Sequence, residues 1–297
     1  MKVGRKMVTK VGSKTIGDNE PTYLIAEIGI NHNGILENAY RLIENAKVAG
    51  FDAVKFQKRT IDVVYTKDEL EQPRENFYGK TNGDLKRGLE FSKEDYLEID
   101  KFCHGLGIDW FASPWDEASV DFLENFGVVA HKIASASLTD KSLLEKIRDT
   151  NKPVFLSTGM STINQIKKAV EILGAKNLIL LHAVSSYPVK DSDLNLSAIN
   201  TLRHQFTDIP IGYSGHEVGV LPSVIAVAKF GAVCVERHIT LDRAMWGSDQ
   251  SASLELPGMV KMVRDIREIP KLTGTGEKVV QEIEVGPMNK LRRVNTI

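Results

Sequence analysis

Eight short apolar segments, each followed by a stretch with helical spacing, constrain this chain more than any other feature of it. They are Leu24–Gly29, Ala53–Gln57, Asp109–Pro114, Ala130–Ser135, Pro153–Gly159, Asn177–Val184, Ile209–Gly215 and Val233–Thr240. Runs this short and this apolar suit parallel strands buried on both faces. Between them apolar residues recur every three or four positions, as at Leu36, Ala39, Tyr40, Ile43 and Ala46, or at Ile163, Ile166, Ala169, Val170 and Leu173. That is the period of one helix face. Gly50, Gly107, Gly127, Gly174 and Gly231 stand just before the next strand, where helix-ending glycines belong. Eight β-then-α units in roughly 250 residues predict a (β/α)8 (TIM) barrel over residues 21–272. An open doubly wound sheet is the alternative, but no G-x-G-x-x-G follows the first strand. Residues 1–20 are polar and suggest a small hairpin over the barrel bottom, and residues 273–297 read as a Gly- and charge-rich tail. The long connection from Lys58 to Ser92 predicts a lid or binding loop.

At 297 residues with a formal net charge of −1, the chain can bury a large core and has no general attraction for nucleic acid or anionic membrane. No apolar run approaches the ~20 residues that span a bilayer. The N-terminus lacks the apolar stretch of a secretory signal. Two cysteines, Cys103 and Cys234, suit a reducing compartment rather than a disulfide framework. A cytoplasmic protein is expected, with Cys234 as a small core residue.

In a barrel the carboxyl ends of all strands converge on one mouth. There this chain places Glu27, Lys55, Gln57, Ser113, Lys132, Ser135, Ser157, His182, Ser185, Ser214, His216, Glu236 and His238. Lys55 and Lys132 have inward parity within apolar strands, so each needs an anion. The partner is either a dianionic ligand or a barrel glutamate such as Glu27 or Glu236. Ser135, Ser157, Ser185 and Ser214 are hydroxyl donors suited to phosphate oxygens, although any single serine could fill a turn. His216 and His238, from neighbouring strands with Glu27 and Asp249 in reach, suit a divalent transition metal. His182 is expected to be structural.

The stretches Ala26-Glu27-Ile28-Gly29-Ile30-Asn31-His32-Asn33-Gly34, Val54-Lys55-Phe56-Gln57, Lys132-Ile133-Ala134-Ser135, Leu156-Ser157-Thr158-Gly159-Met160, Leu181-His182-Ala183-Val184-Ser185-Ser186-Tyr187-Pro188, Gly212-Tyr213-Ser214-Gly215-His216 and Val235-Glu236-Arg237-His238-Ile239-Thr240 resemble the sialic acid synthase family. The resemblance runs from about Leu24 to Arg293. It implies condensation of phosphoenolpyruvate with an open-chain, N-acetylmannosamine-like sugar aldehyde to a 3-deoxy-2-ulosonic (nonulosonic) acid and phosphate. By family position Lys55 lies near the phosphoenolpyruvate carboxylate, while Lys132, Ser135, Ser157, Ser185 and Ser214 surround its phosphate. Glu27 handles a proton or positions water, Asp249 contacts the metal-water or the acceptor, and Gln57 and Tyr187 face the sugar. His216 and His238 are the implied metal ligands, with Mn²⁺ expected and Mg²⁺ or Co²⁺ as alternatives. A homodimer is implied.

The chain departs from the family pattern at Ser137, at Ser185 and in the loop Trp246-Gly247-Ser248-Asp249-Gln250, changes that bear on the acceptor more than on phosphoenolpyruvate. Family members usually continue into a small antifreeze-like domain that carries an arginine to the active site. Here the sequence stops near the linker to it, which implies either a truncated chain or a barrel-only branch in which the Lys58–Ser92 connection substitutes. The remaining alternatives are the same chemistry on a different, shorter or phosphorylated aldose, a Schiff-base aldolase using Lys132 or Lys55, and a non-catalytic sugar-phosphate-binding barrel.

Overall fold

The structure is a computed structural model that describes residues 8–294; residues 1–7 and 295–297, in the predicted extension and tail, lie outside it. Eight parallel strands close into a barrel in chain order. They are β1 (Tyr23–Gly29), β2 (Ala53–Lys58), β3 (Asp109–Pro114), β4 (His131–Ile133), β5 (Val154–Ser157), β6 (Leu178–Ala183), β7 (Ile211–Gly215) and β8 (Cys234–His238). The main helices that follow them are α1 (Leu36–Ala49), α2 (Lys93–Leu106), α3 (Glu117–Glu124), α4 (Lys141–Asp149), α5 (Ile163–Leu173), α6 (Ala198–Gln205), α7 (Leu221–Ala228) and α8 (Leu256–Thr273). The predicted strands are all present: the first two run one residue longer than predicted, the third is identical, and the other five are two or three residues shorter.

Local chemistry sets the boundaries. Helix α1 ends at Gly50, whose φ of 93° lets its N–H reach back to the carbonyls of Ala46 and Lys47; a Cβ would be strained there. Ser92 and Thr162 start α2 and α5, each side chain accepting a hydrogen bond from the backbone N–H three residues on while its own backbone N–H donates to the Asp95 or Gln165 side chain.

Alternation along the strands decides what fills the barrel. Tyr23, Phe111 and Phe155 stack with ring centroids 5.4–6.0 Å apart. Burying such rings contributes about 1.5–3 kcal/mol each. Two residues further along the same strands, on the same face, stand Ser113 and Ser157, and four residues beyond Tyr23 stands Glu27. The lumen is therefore an aromatic plug capped by a polar layer.

At the amino end, Val8–Val11 and Lys14–Gly17 form an antiparallel hairpin, with Lys14 Nζ 3.6 Å from Asp52, just before β2. The Lys58–Ser92 connection is structured. It holds the short helices Ile61–Val64 and Lys67–Glu71, a hairpin of Pro73–Asn76 with Gly79–Thr81, and the helix Asn82–Gly88. The Tyr78 hydroxyl at the hairpin tip donates to the Asn33 carbonyl after β1.

The barrel unit runs to Arg267, and Glu268–Ile297 is a second unit with its own helix, Glu282–Leu291. The division thus falls inside α8, not at the 272/273 boundary read from composition. The last buried residue of α8 is Ile266, so the helix outlasts its packed face. No helix among the described residues is long and apolar enough to cross a membrane.

Candidate active site

Register brings the predicted residues together at the barrel's carboxyl end. His238 pairs beside Glu27, Glu27 beside Lys55, and Ser214 beside Glu236. They line a cavity of about 270 Å³ with Gln57, Ser113, Lys132, Ser135, Ser157, Ser185, Tyr187 and His216. Asp249 does not line this cavity, but its carboxylate is 3.6 Å from His238 Nδ1.

The two lysines are not free ammonium groups. Lys55 Nζ is 2.8 Å from Glu27 Oε2 and 3.7 Å from Glu236 Oε1, and it donates to Ser113 Oγ at 3.0 Å. Lys132 Nζ donates to Ser157 Oγ at 2.7 Å and lies 3.9 Å from Glu236 Oε1. The glutamate partners read from strand parity are therefore present in the cavity itself. Their environments differ. Burial pushes Glu27 up to about 7, with Lys55 opposing. Glu236 goes the other way, because Lys132 and Lys55 outweigh its burial and hold it down at about 2. One carboxyl can exchange a proton near neutrality while the other stays a fixed anion, the separation that acid–base sites use. Burial draws Lys132 down to about 8; Lys55 is raised, because Glu236 and Glu27 outweigh its own burial.

The serines gather around a glycine. Gly159 donates its N–H to Ser135 Oγ at 3.1 Å, and a Cβ on it would lie 2.5 Å from Ser185 Oγ and 2.8 Å from Ser135 Oγ. Only a glycine lets these hydroxyls and an N–H share one pocket, the kind of donor cluster an anion needs. Ser214 instead donates to Glu236 Oε1 at 3.1 Å.

The His216 and His238 rings lie 5.4 Å apart, with Tyr187 4.1 Å from the first and 5.5 Å from the second. Val184 O is 2.8 Å from His216 Nδ1, which puts the proton there and leaves Nε2 with a bare lone pair. Burial, aided by His238, draws His216 down to about 4, and burial lowers His238 against Asp249. Two neutral imidazoles are good metal donors. No group of three or more His, Cys, Asp or Glu assembles into a metal cluster among the described residues, so a cation here would take its remaining ligands from water or substrate. His182 Nε2 meets Leu194 O at 2.8 Å, a structural bond, and the Cys234 thiol is buried and pushed well up.

Sequence reading passed over three features. Trp115 and Met160 line the cavity, and their positions, directly after β3 and three residues past the end of β5, were the available signal. Arg59 stacks 4.5 Å over Trp115 and donates to Gln57 Oε1, whose Nε2 donates to Glu27 Oε1 at 2.8 Å. Behind the cavity, Arg237 and Glu217 form a fully buried pair at 2.8 Å. Glu217 also accepts from Tyr213 OH at 2.7 Å and Ser223 Oγ at 3.0 Å. A lone cation within an otherwise buried strand was its signature.

Residues 42–278 match the NeuB family model. N-acetylneuraminate-9-phosphate synthase of Homo sapiens is 39% identical over 93% of this chain and 78% of its own length. N,N'-diacetyllegionaminic acid synthase of Legionella pneumophila is 34% identical over 96% of this chain and 83% of its own. The crystal structure of the N-acetylneuraminic acid synthetase of Leptospira borgpetersenii superposes with a TM-score of 0.83 at 34% identity, covering 97% of this chain and 99% of that one.

Proposed function

This chain belongs to the NeuB family of sialic acid synthase-type transferases, and on that premise we propose that its cavity joins phosphoenolpyruvate to the open-chain aldehyde of an N-acylated amino sugar. C3 of the enol attacks the aldehyde carbon, water adds at C2, and the resulting tetrahedral phosphate ester breaks its C2–O bond to leave the 2-keto acid and inorganic phosphate. The observation that carries the reading is the buried set Lys55, Lys132, Glu27 and Glu236 beside the Ser135–Gly159–Ser185 pocket.

Lys55 holds the substrate carboxylate. Lys132 with Ser157, Ser135 and Ser185 holds the phosphate, and Glu236 fixes both ammonium groups between substrates. Glu27, titrating near 7, moves protons at the attacking water and at the new carbinol oxygen. Gln57, oriented by Arg59, keeps the Glu27 carboxyl aimed into the cavity. His216 and His238 fit a divalent cation, Mn²⁺ above all, which would supply Lewis-acid polarisation of the aldehyde. Asp249 addresses that centre or the acceptor, and Tyr187 forms the wall beside the sugar. Two buried free cysteines and the phosphoenolpyruvate requirement support a cytoplasmic enzyme. The relatives' names divide between a phosphorylated product in the human enzyme and an unphosphorylated one in that of Legionella.

The test is phosphate release and product mass on incubation with Mn²⁺, phosphoenolpyruvate and a panel of N-acetylhexosamines and other aldoses. Release that needs both substrates and stops with a chelator supports the reading; no release with any sugar sinks it. His238→Ala should lose metal affinity in titration calorimetry while remaining folded. One observation favours a second chemistry, the buried Lys132 drawn down to about 8, as a Schiff-base lysine requires. Borohydride trapping of a substrate on Lys132, with turnover independent of metal, would establish that alternative.

A further inference from the structure

A second cavity, of about 750 Å³, opens between the Lys58–Ser92 connection and the loop after β8. The first cavity, at about 270 Å³, falls below the roughly 300–1,000 Å³ of sites that enclose a drug-sized ligand. It must also hold phosphoenolpyruvate, so the far end of a hexosamine acceptor has to extend beyond it. The two spaces adjoin at one dipeptide. Ser248 lines the second cavity and donates to Asp249 Oδ1 at 2.6 Å, while Asp249 Oδ2 is 3.6 Å from His238 in the first.

The walls of the second cavity state what it takes. Phe77 and Trp246, 73% and 40% exposed, stack at 6.2 Å, an apolar platform for sugar C–H faces. Asn33, Asn76 and Ser248 add neutral polar groups. The cations are the discriminating feature. Elsewhere in the connection, Lys58 and Arg59 pair with Glu90, Lys67 with Glu71 and Arg87 with Asp62. Arg74 and Lys86, which line the cavity, make no salt bridge among the described residues, and Lys86 acts on the Glu69 carboxylate only at longer range. Arg74 meets only Asn82 Oδ1 at 3.3 Å, and Lys86 Nζ faces the Tyr65 ring at 4.9 Å. Against them stands one carboxylate, Glu75.

We propose that this cavity binds the phosphorylated terminus of the acceptor, an N-acylated hexosamine phosphomonoester, with Arg74 and Lys86 as its phosphate donors and Phe77 and Trp246 as the platform for its carbon chain. The assignment rests on the synthase reading above and names its acceptor class. Two charge-assisted contacts give the phosphorylated sugar roughly a 100-fold advantage in kcat/KM.

The experiment compares N-acetylmannosamine with its 6-phosphate as acceptors for the full chain with Mn²⁺ and phosphoenolpyruvate. It includes R74A/K86A and the charge-conserving R74K/K86R, with melting curves to report folding. The expected result is a strong preference for the 6-phosphate, lost through acceptor KM in R74A/K86A and largely restored in R74K/K86R. Equal use of both sugars, or a preference untouched in R74A/K86A, overturns the assignment and leaves the synthase reading intact. If neither sugar releases phosphate, the synthase reading fails, and calorimetry with the 6-phosphate on wild type and R74A/K86A decides the cavity alone. Inorganic phosphate binding as tightly as the sugar phosphate would also overturn it, making this a site for the free ion.

Discussion

Glu236 and Arg237 are neighbours on β8 and face opposite sides of it, and the two sides use buried charge in opposite ways. Outside the lumen, Arg237 gives NH1 to Glu217, Gly219 O and Ser223 and NH2 to the Glu217 carbonyl. Glu217 in turn takes three side-chain donors. Inside, Glu236 accepts one hydrogen bond, from Ser214, with its lysines 3.7 and 3.9 Å away and Oε2 unpartnered among the described residues. A nearly saturated network has one arrangement and holds two strands in place. A loosely met set of charges can exchange partners when an anion arrives. The closed network also joins the residue after His216 to the residue before His238, so it supports the histidine pair from behind.

The largest expected effect tests the outer side. Arg237→Ala strands Glu217 in the core and should cost about 3–5 kcal/mol, read as a lowered urea midpoint. A folded, normally stable Arg237→Ala chain would break the contrast. On the inner side, Lys132→Met should raise the KM for phosphoenolpyruvate roughly 100-fold while lowering the unfolding midpoint less than Arg237→Ala does. The reverse ranking would show the lumen charges to be structural.

Titration sharpens the inner side further. The folded value for Glu27, about 7, lies above the ordinary 4.5. Its stabilising contribution is therefore fully present below pH 4.5 and lost as pH rises through about 7. Glu27→Gln has no such loss, so between pH 4.5 and 8 the stability gap should move in the variant's favour by on the order of 2–3 kcal/mol. Parallel stability curves would mean that Glu27 is ionised throughout. The smallest effect is expected from Gly159→Ala. A Cβ at 2.5 Å from Ser185 Oγ should displace the serine pocket and raise the phosphoenolpyruvate KM roughly 10-fold, with acceptor KM nearly unchanged.

Much of this was legible in the chain. Gly50, Gly107, Gly127, Gly174 and Gly231 all take positive φ, as helix-ending glycines do, and period-two alternation put Glu27, Lys55, Lys132, Glu236 and His238 inside. Asp249 sits 3.6 Å from His238 without lining the first cavity, because it belongs to a loop whose course no period encodes. Helix α8 continues past Ile266, its last buried residue, so its length and its packed face end at different places, and composition carries only the first.

The sequence by itself determined the barrel, its strand order and the residues of its mouth, since these follow from periodicity and capping among neighbours along the chain. Only the tertiary structure decided that Lys55 meets Glu27, that Arg237 locks onto Glu217, and that Phe77 reaches Trp246 to wall a second cavity. Those pairings join residues 20 to 169 positions apart. Their distances depend on how the closed barrel staggers its strands and which rotamers its packing permits, and no local pattern carries that information.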